Sequence, residues 1–240
     1  MHLLIHMLRR LQVSSHIEPS TWNCLDKDGY SYAVMRAYKA DGYPDPNAIV
    51  RALPTARGFA RCILLHCLKS TCFLPQHSLY NWYQSDQGKS GGAASVYLFP
   101  DRNVDDPASQ VSGLVTALKN ANIYYSDHPK AYTYDRIWLD IEIEAWSGDK
   151  AANVRFIQGL IQGCKNNGVP CGVYTNEYNW STITGGWTGA SDLPLWYAHY
   201  DGVESCSDFA PFGGWSRAAK KQWKGNVALC GGLVDLNIDC

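Results

Sequence analysis

Residues 136–146, RIWLDIEIEAW, contain three carboxylates within one short apolar stretch. Asp140, Glu142 and Glu144 alternate with leucine and isoleucine, and this period of two predicts a buried strand over 136–143. Alternate residues of a strand share a face, so Asp140 and Glu142 are expected to point the same way, with Cα atoms about 6.6 Å apart. Glu144 is expected at the solvated edge of the loop that follows.

Two carboxylates on one face of a buried strand are costly unless they serve a function. At about 6 Å and an effective dielectric constant of about 20, their repulsion is about 2.8 kcal/mol, which raises the pKa of one of them. A carboxyl group that keeps its proton near neutral pH is what a general acid requires. The alternative is a structural ion network on an edge strand, but the apolar neighbours favour the catalytic interpretation.

The composition is that of a globular protein with a sizeable core. Of the 240 residues, 46% are hydrophobic and 18% are charged, and the formal net charge is −1. This balance excludes a general electrostatic attraction to nucleic acid or to an anionic membrane. No stretch approaches the roughly eighteen apolar residues of a transmembrane helix.

Nine cysteines indicate an oxidising compartment. Cys164 and Cys171 flank a turn and are candidates for a short disulfide loop, whereas spacing alone leaves the other pairings open. Cys62, Cys67 and Cys72 recur every five residues, which is not a usual zinc-ligand spacing. The N-terminal letters MHLLIHMLRR lack the pattern of a secretory signal peptide, so either the chain is cytosolic or its true N-terminus is not represented in this sequence.

Strands and helices alternate along most of the chain. Strands are predicted at 31–38, 94–100, 136–143, 170–176, 193–200 and 231–238. This alternation predicts an α/β fold with a parallel sheet, and the chain length favours an irregular, TIM-barrel-like (β/α) barrel over an open sheet. Residues 52–92 have neither the helix nor the strand period and are predicted to be an irregular insertion.

Two helices are predicted from their capping residues. The first spans 105–121, with Asp105 or Asp106 as its cap and Pro107 in its first turn. The second spans 149–168 and ends near a glycine. Its predicted inward face consists of Val154, Ile157, Leu160, Ile161 and Cys164.

Seven motifs occur in one order along the chain. They are SSHIEPSTWNCLDKDGYSYAVMRAY, VYLFPD, WLDIE, CGVYTNEYNW, LPLWYAHYD, SDFAPFGGWSRAAKKQW and LCGGLVDLNI. Together they resemble glycoside hydrolase family 25, the lysozymes also called N-acetylmuramidases, and in particular its eukaryotic branch. The resemblance covers most of residues 13–51 and 94–238, which makes it far more specific than a lone Asp-x-Glu.

The resemblance implies a single-domain irregular β/α barrel that cleaves the β-1,4 bond between N-acetylmuramic acid and N-acetylglucosamine in bacterial peptidoglycan. It places Glu142 as the general acid/base. Asp140 beside it orients the substrate's acetamido group or stabilises the oxocarbenium-like transition state. The substrate-binding positions that the resemblance implies are Tyr97, Tyr174, Trp196, Tyr200 and Asp235.

The resemblance implies neither a metal nor an organic cofactor. The expected partner is bacterial cell-wall peptidoglycan, with no nucleic acid and no membrane, and the expected state is a monomer. A secreted or lysosomal location and a role in antibacterial defence or bacterial digestion follow from the same resemblance.

Two features depart from the family pattern. The family's first strand carries an aspartate where LQVSSH has Gln12, which removes a negative charge from the floor of the site. The predicted barrel spans 12–240, preceded by an atypical segment 1–11 and interrupted by the insertion at about 52–92. We hypothesise that these departures weaken catalysis, and the alternative function is a peptidoglycan- or glycan-binding relative that has lost the chemistry.

A chitinase-like hydrolase is a less favoured alternative. Family 18 chitinases carry Asp-x-x-Asp-x-Asp-x-Glu on a barrel strand. The stretch DRIWLDIE offers Asp135, Asp140 and Glu142, but Trp138 replaces the intervening acid. This departure and the flanking motifs favour the lysozyme.

Overall fold

Asp140 lies at the end of a strand in a closed barrel. The computed structural model describes residues 9–15, 17–39, 94–120, 123–125, 132–143 and 146–240. The strands are β1 (Arg9–Val13), β2 (Tyr30–Tyr38), β3 (Ala94–Leu98), β4 (Ile123–Tyr125), β5 (Tyr132–Tyr134), β6 (Ile137–Asp140), β7 (Cys171–Thr175), β8 (Leu195–Ala198), β9 (Lys220–Leu229) and β10 (Gly232–Asp239). The helices are α1 (Pro19–Lys27), α2 (Pro107–Asn120), α3 (Lys150–Asn166) and α4 (Glu177–Thr184).

The barrel strands follow the order β1-β10-β9-β8-β7-β6-β3-β2, and β4 and β5 form a separate two-stranded sheet. Every pair of neighbouring barrel strands that does not include β10 is parallel, which confirms the predicted α/β barrel. The prediction of a wholly parallel sheet is wrong at β10, which is antiparallel to both β1 and β9. The reason is the connection: Cys230 and Gly231, both with positive φ, form a two-residue hairpin turn instead of a helical crossover.

The two predicted helices are present, with shorter ends. Asp106 accepts a hydrogen bond from the backbone N–H of Ala108, and Pro107 is the first residue of α2. The chain leaves α3 through Gly168 at φ +64°, a left-handed conformation that glycine adopts without strain. The buried face of α3 is rotated from the predicted one, because Val154 and Ile161 are only half-buried. The residues that replace them on the buried face are Asn153, Phe156 and Gly163.

The barrel begins earlier than the predicted boundary at residue 12. Arg9 and Arg10 belong to β1 and pair with β10 and β2, so the atypical N-terminal segment contributes to the first strand. The predicted insertion at about 52–92 lies outside the described residues. In the described part of the chain, no helix combines the length and the apolar character needed to cross a membrane.

Three disulfides join the six cysteines that the structure describes. They are Cys24–Cys230, Cys164–Cys171 and Cys206–Cys240. The second is the predicted short loop between α3 and β7. The first joins α1 to the tip of the β9–β10 hairpin, and the third joins the β8–β9 loop to the C-terminal residue.

The floor of the barrel holds a buried lysine and a half-buried arginine against one aromatic ring. The Arg10 guanidinium lies 3.9 Å and the Lys220 ammonium 4.6 Å from the centre of the Tyr32 ring. Both cations are paired with Asp239, and the Lys220 Nζ–Asp239 Oδ1 distance is 2.7 Å. Burial, together with the Arg10 charge, lowers the pKa of Lys220 to about 8 in spite of that pair.

Lys220→Met is expected to remove a pH-dependent part of the stability. The pKa of Lys220 is about 8 in the folded chain and 10.5 in the unfolded chain. Because the unfolded chain binds more protons between these values, the folded state becomes more stable as the pH rises through this range. The free energy of unfolding of the parent, minus that of the variant, should therefore rise by about 2 kcal/mol between about pH 7 and 9.5. Urea unfolding across this range measures it, and a constant difference would contradict the assignment.

Candidate active site

The two candidate catalytic acids lie where β6 ends. Asp140 is the last residue of the strand and is 5% exposed, whereas Glu142 is half-buried and lies two residues further on. The predicted strand over 136–143 is therefore too long, and Glu142 lies in the irregular segment that follows β6. Both acids are at the carboxyl end of the parallel strands, the end at which barrel enzymes place their active sites.

The segment that carries Glu142 is fixed on both sides by hydrogen bonds. The Ile141 backbone N–H donates to the Tyr174 carbonyl at 2.8 Å, and the Thr175 hydroxyl donates to the Ile141 carbonyl at 2.7 Å. The Trp146 indole N–H donates to the Glu142 carbonyl at 2.6 Å. The backbone at Glu142 is thus held by β7 on one side and by an indole on the other.

A hydrogen-bonded group of two tyrosines and a glutamine adjoins the acids. Tyr174 pairs with Asp140 across β6 and β7. The Tyr174 hydroxyl donates to Gln222 Oε1 at 2.5 Å, and the Tyr200 hydroxyl donates to the same oxygen at 2.7 Å. The two tyrosine oxygens are 3.2 Å apart. One amide oxygen from β9 therefore fixes both phenols.

Asp235 is turned into this group by a β-bulge. The register of β9 and β10 shifts there, so that Gly225 and Asn226 together lie opposite Asp235. Asn226 has φ +55°, and its backbone N–H donates to Asp235 Oδ1 at 2.6 Å. The Gln222 amide N–H₂ donates to Asp235 Oδ2 at 3.1 Å. The bulge explains why Asp235 lies beside the same glutamine as the two tyrosines.

Gln12 extends the hydrogen-bonded group to the other side of the barrel. Its amide N–H₂ donates to the Tyr97 hydroxyl at 2.7 Å, and its Oε1 accepts from Gln222 at 3.4 Å. Gln12 is 8% exposed and pairs with Asp235 across β1 and β10. At this position a neutral amide links Tyr97 to Gln222.

The carboxylates act electrostatically on both phenols. Burial, followed by the charges of Glu142 and Asp140, raises the pKa of Tyr174 well above its ordinary value. Burial, with the charges of Asp235, Glu142 and Asp140, also raises the pKa of Tyr200, although the neighbouring Tyr174 hydroxyl opposes the shift. Both hydroxyls therefore keep their protons and remain hydrogen-bond donors. Burial raises the pKa of Asp235 as well, opposed by the Asn226 N–H.

Two tryptophans fill the barrel beneath this layer. Trp196 is 2% exposed, its ring centre lies 4.6 Å from that of Tyr174, and its indole N–H donates to Asn237 Oδ1 at 2.9 Å. Trp138 is fully buried and lies over Gly172, where a Cβ atom would come within 2.4 Å of the ring. Trp196 supports Tyr174 from below and is not itself at the surface of the site.

Two clusters have the side-chain types of metal ligands, among the residues that the structure covers. In the first, Cys24 and Cys230 are joined in a disulfide beside Asp28 and so are not thiolates. The second consists of His199, Asp201 and Asp208, and the Lys221 ammonium group lies between its two carboxylates. Neither cluster includes the acids at the end of β6.

Comparison with known proteins identifies the family. Residues 74–223 match the family model described as lysozyme-like protein 1. Over 235 residues the chain is 34% identical to "Probable GH family 25 lysozyme 4" of Dictyostelium discoideum, which covers 97% of this chain and 91% of that protein. The chain belongs to glycoside hydrolase family 25. It is therefore a glycoside hydrolase of the lysozyme class, as its motifs predicted.

Further family 25 comparisons agree. The chain is 31% identical over 236 residues to "Lysozyme-like protein 5" of Caenorhabditis elegans, with coverage of 95% and 89%. The muramidase of Trichobolus zukalii has a similar structure, with a TM-score of 0.65, 20% identity, and coverage of 95% of this chain and 92% of that chain. A bacterial lysozyme from Streptomyces coelicolor also has a TM-score of 0.65, at 17% identity and 97% and 92% coverage. These structural likenesses confirm the irregular barrel fold.

Most of the site residues predicted from the family 25 resemblance lie close together in the structure. Asp140, Tyr174, Tyr200 and Asp235 share one layer at the carboxyl end of the barrel, and Tyr97 reaches it through Gln12. Sequence reasoning missed Gln222, which contacts four members of this layer, because a lone glutamine in KKQW carries no pattern. It also missed Trp146, although its position four residues after Glu142 is visible in the opening motif.

Proposed function

We propose that this chain hydrolyses the β-1,4 bond between N-acetylmuramic acid and N-acetylglucosamine in bacterial peptidoglycan. The observation that carries the proposal is the pair Asp140 and Glu142 at the carboxyl end of a family 25 barrel, with Tyr174 and Tyr200 donating hydrogen bonds beside them. The relatives named lysozymes and muramidases support the same bond as the substrate.

Glu142 acts as the general acid/base in this proposal. As an acid it gives its proton to the glycosidic oxygen, which leaves with the downstream sugar. As a carboxylate it then takes a proton from the water that attacks the anomeric carbon. Its backbone, held by Trp146 and by the Ile141 contacts with β7, keeps the carboxyl group in one place between the two steps.

Asp140 acts on the charge that develops at the sugar ring. Its carboxylate orients the substrate's acetamido group for neighbouring-group attack or stabilises the oxocarbenium-like transition state directly. Its 5% exposure supports this role, because a carboxylate away from water acts more strongly on a nearby cationic centre.

The remaining predicted residues bind or support the glycan. Tyr200 is 58% exposed and offers both its ring face and its hydroxyl to a sugar. Asp235 and the Tyr174 and Tyr97 hydroxyls line the same layer. For Trp196 we propose a supporting role beneath Tyr174, because its 2% exposure does not suit direct contact with a glycan.

Product analysis tests the proposed bond. Purified peptidoglycan is incubated with the chain, and the released fragments are reduced and analysed by mass spectrometry. Muramidase activity places N-acetylmuramic acid at every new reducing end. New reducing ends on N-acetylglucosamine would reject the proposed bond and indicate a glucosaminidase.

The proposed location is secreted or lysosomal, and the proposed state is a monomer that acts on cell-wall peptidoglycan. The three disulfides support an oxidising compartment. A contribution to antibacterial defence or bacterial digestion fits such a location.

The second candidate function is glycan binding without turnover, and Gln12 is the observation that favours it. A carboxylate at this position would add negative charge beneath the oxocarbenium-like transition state, whereas the amide provides none. Binding to insoluble peptidoglycan without release of reducing ends would support this alternative.

Gln12→Asp is expected to raise kcat about tenfold, the equivalent of about 1.4 kcal/mol of transition-state stabilisation. It should also lower the free energy of unfolding by about 1–3 kcal/mol, since a carboxylate at an 8% exposed position loses hydration. Gln12→Asn is the matched control, because it has the same length as aspartate without the charge. Equal rates for the two variants, measured as reducing ends released from peptidoglycan, would refute a role for charge at this position.

A further inference from the structure

The loop after β8 delivers Tyr200 to the site, yet few apolar contacts hold it there. Residues 199–203 are all exposed, and Val203 is 53% exposed. Downstream, the loop is tied to the C-terminus by the Cys206–Cys240 disulfide. The position of Tyr200 must therefore depend on polar contacts of the loop.

A fully buried lysine supplies these contacts. Lys221 is 0% exposed, and its ammonium group donates to Asp201 Oδ2 at 2.7 Å and to Asp208 Oδ1 at 2.8 Å. Its third proton is donated to the Ser205 carbonyl at 2.9 Å. All three donors of the ammonium group are thus used by one loop.

The two carboxylates are themselves held in place. The Tyr197 hydroxyl donates to Asp208 Oδ1 at 3.0 Å, and His199 Nδ1 lies 2.6 Å from Asp208 Oδ2. The Val203 backbone N–H donates to Asp201 Oδ1 at 2.9 Å. Although burial opposes it, the hydrogen bonds from Lys221, His199 and Tyr197 hold the pKa of Asp208 well below its usual value. Asp208 is therefore an anion throughout the physiological range.

Lys221 and its neighbour Gln222 hold the loop from the two faces of β9. Successive strand residues point to opposite faces, so Lys221 faces the loop outside the barrel while Gln222 faces the interior. On the inner face, Gln222 accepts a hydrogen bond from the Tyr200 hydroxyl. From the outside, Lys221 holds Asp201, the residue that directly follows Tyr200.

We propose that Lys221 is a positioning residue for Tyr200. The Lys221 ammonium group fixes the β8–β9 loop and so holds the Tyr200 ring beside the acids at the end of β6. The inference rests on the proposed function, since the position of Tyr200 matters for activity only if the site at the end of β6 takes a glycan. Lys221 does not touch substrate; it acts through the loop.

Without the ammonium group, the loop would lose its central cation. Lys221→Met keeps a side chain of similar length but leaves Asp201 and Asp208 close together with no buried positive charge between them. Their repulsion and their need for water then favour an open loop. The Tyr200 backbone would move with Asp201, and its hydroxyl would leave Gln222.

Lys220→Met is a matched control. It removes the adjacent lysine of the same strand, which is also buried and ion-paired but faces Tyr32 at the barrel floor. Both variants lose a buried ion pair. The proposal predicts that the site is altered in only one of them.

Hydrogen exchange tests the loop independently of catalysis. The His199 and Gly202 amides donate to the Gln222 and Trp223 carbonyls. In Lys221→Met, measured well below its unfolding temperature, these amides should exchange at least about tenfold faster than in the parent and in Lys220→Met. Equal exchange in the two variants would overturn the proposal, whether or not the parent hydrolyses peptidoglycan.

Kinetics test the effect on Tyr200. With soluble, un-cross-linked peptidoglycan strands, Lys221→Met should raise KM about tenfold and leave kcat within about threefold. In a Tyr200→Ala background the same substitution should have no further effect on KM, because its target is gone. A full additional KM increase in that background would overturn the proposal. A parent without hydrolysis would instead reject the proposed function, and the exchange experiment would still decide the role of Lys221.

Asp201→Asn provides a milder variant if Lys221→Met does not fold. It removes one of the two carboxylates at an exposed position and leaves Lys221 paired with Asp208. The expected result is the same direction of change in loop exchange and KM, at about a third of the size. If both loop exchange and KM stayed at the parent values, the proposal would be overturned.

Discussion

Glu142→Gln is expected to reduce kcat by about 10³-fold or more and to leave the fold intact. Glutamine has the same shape as glutamate but carries no transferable proton, so the leaving glycosidic oxygen departs unprotonated and the attacking water keeps its proton. General acid/base catalysis by one residue contributes about 10²–10⁴-fold, and Glu142 serves both steps. Reducing ends released per unit time from peptidoglycan measure the loss.

Glu177→Gln is the control for this experiment. Glu177 is an exposed acid in the first turn of α4, which follows β7. Its substitution is therefore the same chemical change at the same end of the barrel. We expect its rate to stay within about twofold of the parent. A Glu142→Gln variant that keeps more than a tenth of the parent rate would remove Glu142 from its proposed role and point to another acid at the end of β6.

The positions of Asp140 and Glu142 show which features of the site the sequence predicts and which it does not. The alternation around Asp140 predicts a buried strand, and the structure places that residue at the strand's carboxyl end. The period of two cannot tell where the strand ends, because Ile141 and Ile143 continue the apolar pattern into the segment that follows. The strand ends where tertiary contacts replace strand pairing, because the Thr175 hydroxyl and the Trp146 indole N–H donate hydrogen bonds to the Ile141 and Glu142 carbonyls.

The antiparallel last strand illustrates a second limit. The motif LCGGLVDLNI was predicted to end in a strand, and it does. Its direction depends on a two-residue turn at Cys230, a non-glycine residue with φ +53°, which composition alone does not suggest. Tertiary contacts override the local preference there, since the disulfide and the Thr21 hydroxyl both bind Cys230.

The hydrogen-bonded link between Gln12 and Gln222 is the part of the site that the motifs do not predict. Each glutamine is both donor and acceptor, so the two link Tyr97 to Asp235 without adding charge. A first-strand aspartate would accept hydrogen bonds only and would repel Asp235. The hydrogen bonds of the site thus suit an amide at position 12. The Gln12→Asp variant tests whether a negative charge there would stabilise the transition state.

The largest effect on stability is expected from the disulfide between α1 and the β9–β10 hairpin. Cys24 and Cys230 are 206 residues apart in sequence, so their bond removes much of the freedom of the unfolded chain. The chain-entropy relation gives about 5 kcal/mol for a loop of this length and about 2.5 kcal/mol for the seven-residue separation of Cys164 and Cys171. Urea unfolding of the two double alanine variants should show this twofold difference.

The same comparison separates stability from function. The Cys24–Cys230 bond holds the tip of the hairpin whose bulge turns Asp235 into the site, whereas Cys164–Cys171 joins α3 to the amino end of β7. At a temperature where both variants remain folded, the Cys24→Ala/Cys230→Ala variant should lose activity about three- to tenfold, and the Cys164→Ala/Cys171→Ala variant should not. Equal activities would mean that the Asn226 and Gln222 hydrogen bonds to Asp235 suffice to hold the hairpin at the site.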